Sequence, residues 1–278
     1  MTGVQTCALP ISHGIPGSRP DGRIVIAAWQ ALQRRSPVLT AVAVIHLALA
    51  LVLIVAMQID AVIVLGIERW IKPLKFAVSI AIYLGTLAWL QPSLDLPART
   101  RSYVIGVAAG TMTLEMIAIG MQAFRGTTSH FNIATVFDGI VFQVMGVAIL
   151  ANTIAAAWMA VASWRLFKTD RNGYQLGVVL GFALFLFGSV IGGVLIGYDA
   201  HTVGAADGGA GLPLLNWSTT AGDLRVSHFV ALHALQGLPL LGGWLGTKPV
   251  VLAAVAWGVA TVVLLVQAFA GRPLIARI

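Results

Sequence analysis

The segment GDLRVSHFVALHALQ (residues 222–236) gathers side chains of several chemical types at the start of an apolar stretch. It contains an aspartate, an arginine, a serine, two histidines and a glutamine. Imidazole groups exchange protons near neutral pH and bind metals, and guanidinium groups hold anions. This density of polar groups favours a functional site over a purely structural role.

Glu115 is a second candidate, because it lies far from the ends of another apolar stretch. A carboxylate in hydrocarbon is costly unless it is protonated or bonded, and intramembrane carboxylates usually have a function. Glu115 and His233 are therefore the candidate catalytic residues, for a reaction that the sequence does not identify.

Seven apolar stretches must position these residues. The chain is 58% hydrophobic and only 10% charged, whereas soluble globular proteins average about 25% charged residues. Runs of about 18 or more apolar residues can cross a bilayer as helices. We predict an all-α, polytopic transmembrane helix bundle that forms one domain over 37–271, with spans near 37–57, 72–91, 102–123, 139–164, 174–197, 226–246 and 250–270.

The stretch 131–164 is too long for one span, because as a helix it would measure about 51 Å against a hydrocarbon core of about 30 Å. The dipeptide Asp138-Gly139 resembles a helix boundary. We therefore expect a break there, with Asp138 as the N-cap of the fourth span.

The first 36 residues form an N-terminal arm. Residues 1–11 resemble the translation of a sequencing adaptor, as in a metagenomic fragment, so Cys7 and the present start are not expected to be natural. Residues 24–35 have the pattern of a short amphipathic helix that lies on the membrane surface. Farther along, the glycine-rich residues 198–222 predict an external loop, a connector rather than a lid.

Basic residues indicate orientation and partners. The net charge of +7 would favour nucleic acid in a soluble protein, but here it lies in short loops that meet lipid headgroups. The N-terminal arm, the 92–101 and 165–173 loops and Lys248 hold ten lysines and arginines, and the opposite side holds seven. The positive-inside rule then predicts a cytoplasmic N-terminus in a bacterial inner (cytoplasmic) membrane, with membrane lipids as partners and no nucleic acid.

Polar residues within three spans recur at helical spacing, so each of these spans has one polar face. Polar groups facing lipid would be costly, and we therefore expect the three faces to meet inside the bundle. The faces consist of Lys72, Lys75, Ser79, Tyr83 and Thr86 on the second span, Thr111, Glu115 and Gln122 on the third, and Arg225, His228, His233 and Gln236 on the sixth.

The depth of these residues predicts a pocket that opens outward. At 1.5 Å per residue, Glu115 and His233 lie roughly 10–12 Å below the outer helix ends. They would form a carboxylate–imidazole floor beneath a polar rim of Lys72, Arg125, His130, Asp138, Arg225 and His228.

A metal or a haem b is the first prediction for this pocket, because imidazole binds zinc, copper and iron, including haem iron. The metal candidates are His130, His228, His233, Glu115 and Asp138. A haem would bridge His233 and His46, and the cofactor-binding candidates are His233, His228, His130, His46, Arg225, Arg125 and Lys75.

The spacing of the histidines is poor for chelation. His228 and His233 are five residues apart, so their side chains point about 140° apart on a helix. The HxxxH motif of the seven-span ceramidase and adiponectin-receptor-like hydrolases is absent. An enzyme of that kind is therefore not indicated.

Three other functions stay open. A proton-coupled transporter of a small solute such as an anion would exchange protons between Glu115 and His233, although no inverted repeat is visible. An extracytoplasmic enzyme would clamp a lipid-linked phosphate with lysine and arginine, although the signatures of membrane phosphatidic-acid phosphatases are absent. A structural subunit of a membrane complex would pack its polar faces against a partner helix.

The stretches WIKPLKF (70–76), RGTTSHFN (125–132) and GDLRVSHFVALHALQ (222–236) are similar to those of a bacterial family of uncharacterised membrane proteins with about seven spans. The resemblance covers most of the chain after the N-terminal arm. It implies a multispanning fold and implies no activity, cofactor or catalytic residue.

Overall fold

The computed structural model describes residues 22–276, so the adaptor-like stretch 1–11 and Cys7 lie outside the described residues. Helices dominate this part of the chain, and the all-α prediction is confirmed. The helices are α1 (Gly22–Arg35), α2 (Pro37–Ile59), α3 (Ile71–Leu90), α4 (Ala98–Phe124), α5 (Val136–Thr169), α6 (Gly173–Tyr198), α7 (Leu224–Leu245) and α8 (Thr247–Phe269).

Six of the described helices are long and apolar enough to cross a membrane, namely α2, α3, α4, α5, α6 and α8. This identifies a multi-pass membrane protein. The remaining long helix, α7, covers the predicted sixth span and has 22 residues, which is long enough to cross. Its composition sets it apart, because it carries Arg225, His228, His233 and Gln236.

Glycines of α6 hold α7 in place. Gly177 lies against the backbone of α7 at Leu238, and Gly181 lies against Ala234. A side chain at Gly177 would collide with the Leu238 carbonyl oxygen. Small residues of this kind allow two helix backbones to approach closely. As a result α7 packs tightly against α6 despite its polar residues.

The helix α5 is continuous over 34 residues, so the predicted break at Asp138-Gly139 is wrong. Its N-cap is Thr135, whose hydroxyl accepts a hydrogen bond from the Asp138 main-chain N–H at 3.1 Å. The same hydroxyl donates to the Asp138 carboxylate at 2.6 Å. Asp138 therefore lies in the first turn, where a carboxylate is favoured by the helix dipole.

Over the predicted amphipathic stretch, α1 presents Val25, Ile26 and Trp29 as exposed apolar side chains. It ends at Arg35, which donates to the Trp89 carbonyl oxygen at 2.9 Å and stacks on the Trp89 ring. This contact ties α1 to the C-terminal end of α3.

Three connecting segments close one end of the bundle. Residues 60–70 hold a hairpin of β1 (Ile63–Val64) and β2 (Ile67–Glu68), residues 125–135 join α4 to α5, and residues 199–223 join α6 to α7. They meet one another, since the Phe131 and His201 rings are 5.0 Å apart. We call residues 199–223 the cap segment, and the end of the bundle that it covers the capped end.

The cap segment is folded, which its glycine-rich composition did not indicate. Its two ends pair as antiparallel strands, β3 (Thr202–Val203) and β4 (Gly222–Asp223). A second hairpin lies between them, where Gly211 pairs with Ser218. Gly208 contacts Gly66 of the neighbouring hairpin so closely that no side chain fits between them.

Candidate functional site

Lys72 and His130 form the centre of the capped end. The first turn of α3 places the Lys72 ammonium 3.3 Å from Nδ1 of His130, and the Ser129 hydroxyl lies 3.0 Å from the same nitrogen. Because the ammonium group can only donate, Nδ1 of His130 is the acceptor and Nε2 carries the ring proton. The ring also packs against aromatic side chains, namely Phe76, Phe131 and Phe142.

The His130 imidazole is held neutral. Burial keeps the pKa of His130 well below its usual value, and the nearby charges of Lys72 and His201 lower it further. A neutral imidazole beside an ammonium group avoids a repulsive pair of cations. His130 therefore acts as a hydrogen-bond partner that orients Lys72.

Glu115 lies beneath this pair on α4. Its side chain is buried, at 5% exposure, and Oε1 has no hydrogen-bond partner among the described residues. The Lys72 charge is near enough to attract it. Buried polar atoms are nearly always bonded in native structures, so a free carboxylate oxygen indicates a place for a proton or a ligand.

His201 and Asp207 of the cap segment complete the cluster. Nδ1 of His201 lies 2.6 Å from the Asp207 carboxylate, which also accepts the main-chain N–H of Thr202 at 2.9 Å. Burial alone raises the pKa of Asp207, but the hydrogen bonds from His201 and Thr202 outweigh it and bring that pKa below its ordinary range. Asp207 is thus an anion that fastens the base of the cap segment.

The arginines of this end are paired with aspartates. Arg125 contacts Asp138 at 2.5 Å, Arg225 contacts Asp223 at 2.6 Å, and a further pair joins Arg69 to Asp60. In the described chain, by contrast, no carboxylate lies within 4 Å of either Lys72 or Lys75. The uncompensated positive charge of the capped end therefore belongs to the lysines.

Lys72 is the electrostatic centre of these groups. Repulsion acts on it from Lys75 and Arg225, and attraction from Glu115 and Asp207. We call this set the lysine–histidine cluster; its members are Lys72, Lys75, Glu115, His130, His201 and Asp207. Its two ammonium groups have no carboxylate within 4 Å in the described chain, and they are therefore suited to binding an anion.

The histidines of α7 lie apart from this cluster. Nδ1 of His233 bonds the Phe229 carbonyl oxygen at 2.8 Å, and its ring stacks on Phe229 with centroids 3.9 Å apart. Nδ1 of His228 bonds the Gly188 carbonyl oxygen at 2.7 Å. Among the described residues no hydrogen bond joins Glu115 to His233, so the carboxylate–imidazole floor is not formed as a direct contact.

The polar faces of the second and sixth spans do touch. Nε2 of Gln236 donates to the Thr86 hydroxyl at 3.2 Å, which joins α7 to α3. Tyr83, from the same face of α3, donates instead to Asn152 of α5 at 3.2 Å. The polar face of the second span thus contacts both α5 and α7.

The predicted metal ligands do not gather. Residues 22–276 contain no group of three or more His, Cys, Asp or Glu side chains that could hold a metal ion. Asp138 is occupied by Arg125 and Gln122, and His228 is occupied by a main-chain carbonyl. Shared coordination by the five candidates is therefore not seen.

The haem candidate His46 is buried in α2. Nδ1 bonds the Val42 carbonyl oxygen at 2.8 Å, and Nε2 has no partner within the described part of the chain. Nε2 thus has no hydrogen bond to any residue of 22–276 in either His46 or His233. A haem bridging them stays a prediction.

Sequence reasoning missed the pair His201–Asp207. Both residues lie in the glycine-rich loop, where no periodicity marks a buried position. The available signal was a histidine and an aspartate six residues apart, a separation that a tight loop can close. Their approach to His130 depends on the packing of two distant segments, which spacing along the chain does not reveal.

Comparisons with protein-family models, curated proteins and solved structures gave no match for this chain. The similarity to a bacterial membrane-protein family therefore stays a prediction, and the function must be argued from the residues.

Proposed function

We propose that the protein is a proton-coupled carrier of a small oxyanion. The oxyanion binds beside Lys72 and Lys75, and Glu115 takes up the accompanying proton. The observation that carries this proposal is the buried Glu115 carboxylate, whose Oε1 has no hydrogen-bond partner among the described residues and which lies within reach of the Lys72 charge.

The positive charges of Lys72 and Lys75 favour the binding of an anion at this site. Lys72, Lys75 and Arg225 repel one another at the capped end, and Arg225 alone of the three contacts a carboxylate. Like charges at a site of reduced dielectric raise its free energy. An anion between them removes this repulsion and forms charge-assisted hydrogen bonds with the ammonium groups.

Glu115 is the group that would take up a proton when the anion binds. When an anion arrives near a carboxylate, the added negative charge favours the protonated form of that carboxylate. Uptake of one proton would then keep the charge of the site unchanged. Because an uncompensated charge inside a bilayer is costly, electrically neutral co-transport of an anion and a proton favours movement of the anion through the bundle.

The prediction of a lipid-phosphate enzyme is less well supported. Its clamp would use Arg125, yet the Arg125 guanidinium group is already engaged by Asp138 and Gln122. A metal or haem protein and a structural subunit stay predictions, and no contact described above favours either over the carrier.

Transport in proteoliposomes tests the carrier. With a pH-sensitive dye inside, addition of inorganic phosphate, sulfate or nitrate to the outside should acidify the lumen in at least one case. Glu115→Gln should abolish this acidification. Glu68→Gln is the matched control, because Glu68 is the chain's other glutamate and bonds a main-chain N–H of Trp70 at 3.0 Å.

Two results would contradict the proposal. One is equal acidification by the wild type and Glu115→Gln. The other is the absence of acidification with all three anions in vesicles that contain folded protein.

A further inference from the structure

The cap segment is bound to the bundle by two cations that contact consecutive carbonyl oxygens. Nζ of Lys75 on α3 donates to the Leu215 carbonyl oxygen at 3.0 Å. Nη2 of Arg225 on α7 donates to the carbonyl oxygen of Asn216, the next residue. Two helices thus present positive groups to adjacent main-chain oxygens.

This arrangement is that of an oxyanion site occupied by the chain itself. A phosphate or carboxylate group at this place would present an oxygen to each cation. A carbonyl oxygen has only a partial negative charge, whereas an oxyanion has a full charge and attracts a cation more strongly. An oxyanion is therefore a better partner than the main chain for Lys75 and for the Nη2 hydrogen of Arg225 that Asp223 leaves to Asn216.

The hairpin that supplies these carbonyls has an exposed tip, and its aromatic contact with the bundle is the packing of Trp217 on Phe229 of α7, with centroids 5.3 Å apart. We call residues 211–218 the plug hairpin. Leu214 at its tip is 60% exposed and Leu215 is 37% exposed, so little apolar surface fixes them. Leu214 and Asn216 also have positive φ angles of 61° and 55°, a strained conformation for a leucine.

The hairpin is complete in itself. The Leu212 main-chain N–H donates to the Trp217 carbonyl oxygen at 2.8 Å, and the Asn216 N–H donates to that of Leu212 at the same distance. These bonds stay intact when the hairpin moves away from the bundle. Displacement therefore leaves the hairpin folded, and it breaks the contacts with Lys75 and Arg225, the Trp217–Phe229 packing and the Ser218 N–H bond to Asp223.

We propose that the plug hairpin occupies the ligand site between Lys75 and Arg225, and that an oxyanion displaces the hairpin when it binds. The ligand class is a phosphate group, either inorganic phosphate or the phosphate monoester of a lipid headgroup. This inference rests on the proposed function, because it concerns Lys75, one of the two lysines of the carrier site, and specifies how the site opens.

Cysteine accessibility provides the test, in a background with Cys7→Ser. Thr219 follows the hairpin and is buried, whereas its neighbour Thr220 is exposed. Saturating inorganic phosphate should speed the reaction of Thr219→Cys with a membrane-impermeant maleimide at least about tenfold, because labelling follows the open population. The rate for Thr220→Cys should not change.

Substitution of Lys75 tests its contact with the plug hairpin in the absence of a ligand. Lys75→Met should raise the labelling rate of Thr219→Cys in phosphate-free buffer and remove the response to phosphate. Lys168→Met, in the last turn of α5, should do neither. Mixed micelles with phosphatidic acid form a parallel arm, and a response in that arm alone would assign the site to a lipid headgroup.

The outcomes separate the two proposals. Radiolabelled phosphate that binds without changing the Thr219→Cys rate would overturn the plug and leave the carrier intact. Absence of phosphate binding would contradict the carrier's use of phosphate. In that case an unchanged phosphate-free rate in Lys75→Met, or no response to phosphatidic acid, would overturn the plug as well. A raised rate together with a response to phosphatidic acid would support it.

Discussion

Lys72 and His130 depend on each other at the residue scale. The ammonium group needs an acceptor at a site where no carboxylate of the described chain touches it, and Nδ1 of His130 supplies one at 3.3 Å. His130 must stay neutral to do so. This reciprocal requirement makes the pair sensitive to pH.

We expect the stability of the protein to fall as the pH decreases below about 6.5, the usual pKa of histidine. The pKa of His130 is lowered in the folded protein, so below that pH the unfolded chain binds more protons and is favoured. Above it both states hold a neutral ring and no change is expected. The melting temperature of the solubilised protein between pH 5 and 8 measures this.

His130→Gln should flatten this pH dependence, because it removes one of the groups responsible. His201, whose pKa is also lowered, should leave a residual slope. Asn132→Ala is the control, since Asn132 braces the same loop through a 3.0 Å bond to the Thr128 carbonyl oxygen and has no titrating group. An unchanged slope in His130→Gln would contradict this account.

Lys72→Met should weaken the binding of phosphate about ten- to a hundredfold. One hydrogen bond from a charged group contributes roughly 1.5–3 kcal/mol, and methionine keeps the length of the side chain. Equilibrium dialysis with radiolabelled phosphate measures the dissociation constant. Lys168→Met should bind as the wild type does, and equal constants for Lys72→Met and wild type would refute the role of Lys72.

At the scale of elements, α7 is retained in the bundle by close packing rather than by composition. It carries four polar residues of the predicted face, yet Leu235 and Leu238 are fully buried. The backbone of α6 meets it at Gly177, where no Cβ can be added without a shift. Close packing against α6 therefore keeps α7 in the bundle despite its four polar residues.

Gly177→Ala should destabilise the protein by about 1–3 kcal/mol, because an overpacked interface must move apart. Gly106→Ala is a matched control within α4, where an added Cβ meets nothing within 4 Å. Alanine there should be neutral or stabilising by about 0.5–1 kcal/mol, as expected from helix propensity. A lower melting temperature for both variants, or for neither, would contradict the assignment of the α6–α7 contact.

At the scale of the whole molecule, composition predicted the helices because crossing a bilayer requires long apolar runs. The periodic polar residues predicted α7 as well, although α7 is not among the six helices whose mean hydropathy marks them as candidate membrane spans. The start of α5 was misplaced because Thr135 and Asp138 are both good capping residues. Local sequence does not decide which of them accepts the first N–H.

The site was predicted only in part. Depth along a helix follows from residue number, so Glu115 and Lys72 could be placed near the same end. Lateral neighbours depend on packing, so the pairing of Arg125 with Asp138 and the approach of His201 to Phe131 could not be read from spacing.

The most direct measurement is an infrared difference spectrum recorded when phosphate is added to the purified protein. We predict the appearance of the carbonyl band of a protonated carboxylic acid, present in the wild type and Glu68→Gln and missing in Glu115→Gln. The same band in Glu115→Gln, or no band in wild-type protein that demonstrably binds phosphate, would contradict proton uptake by Glu115.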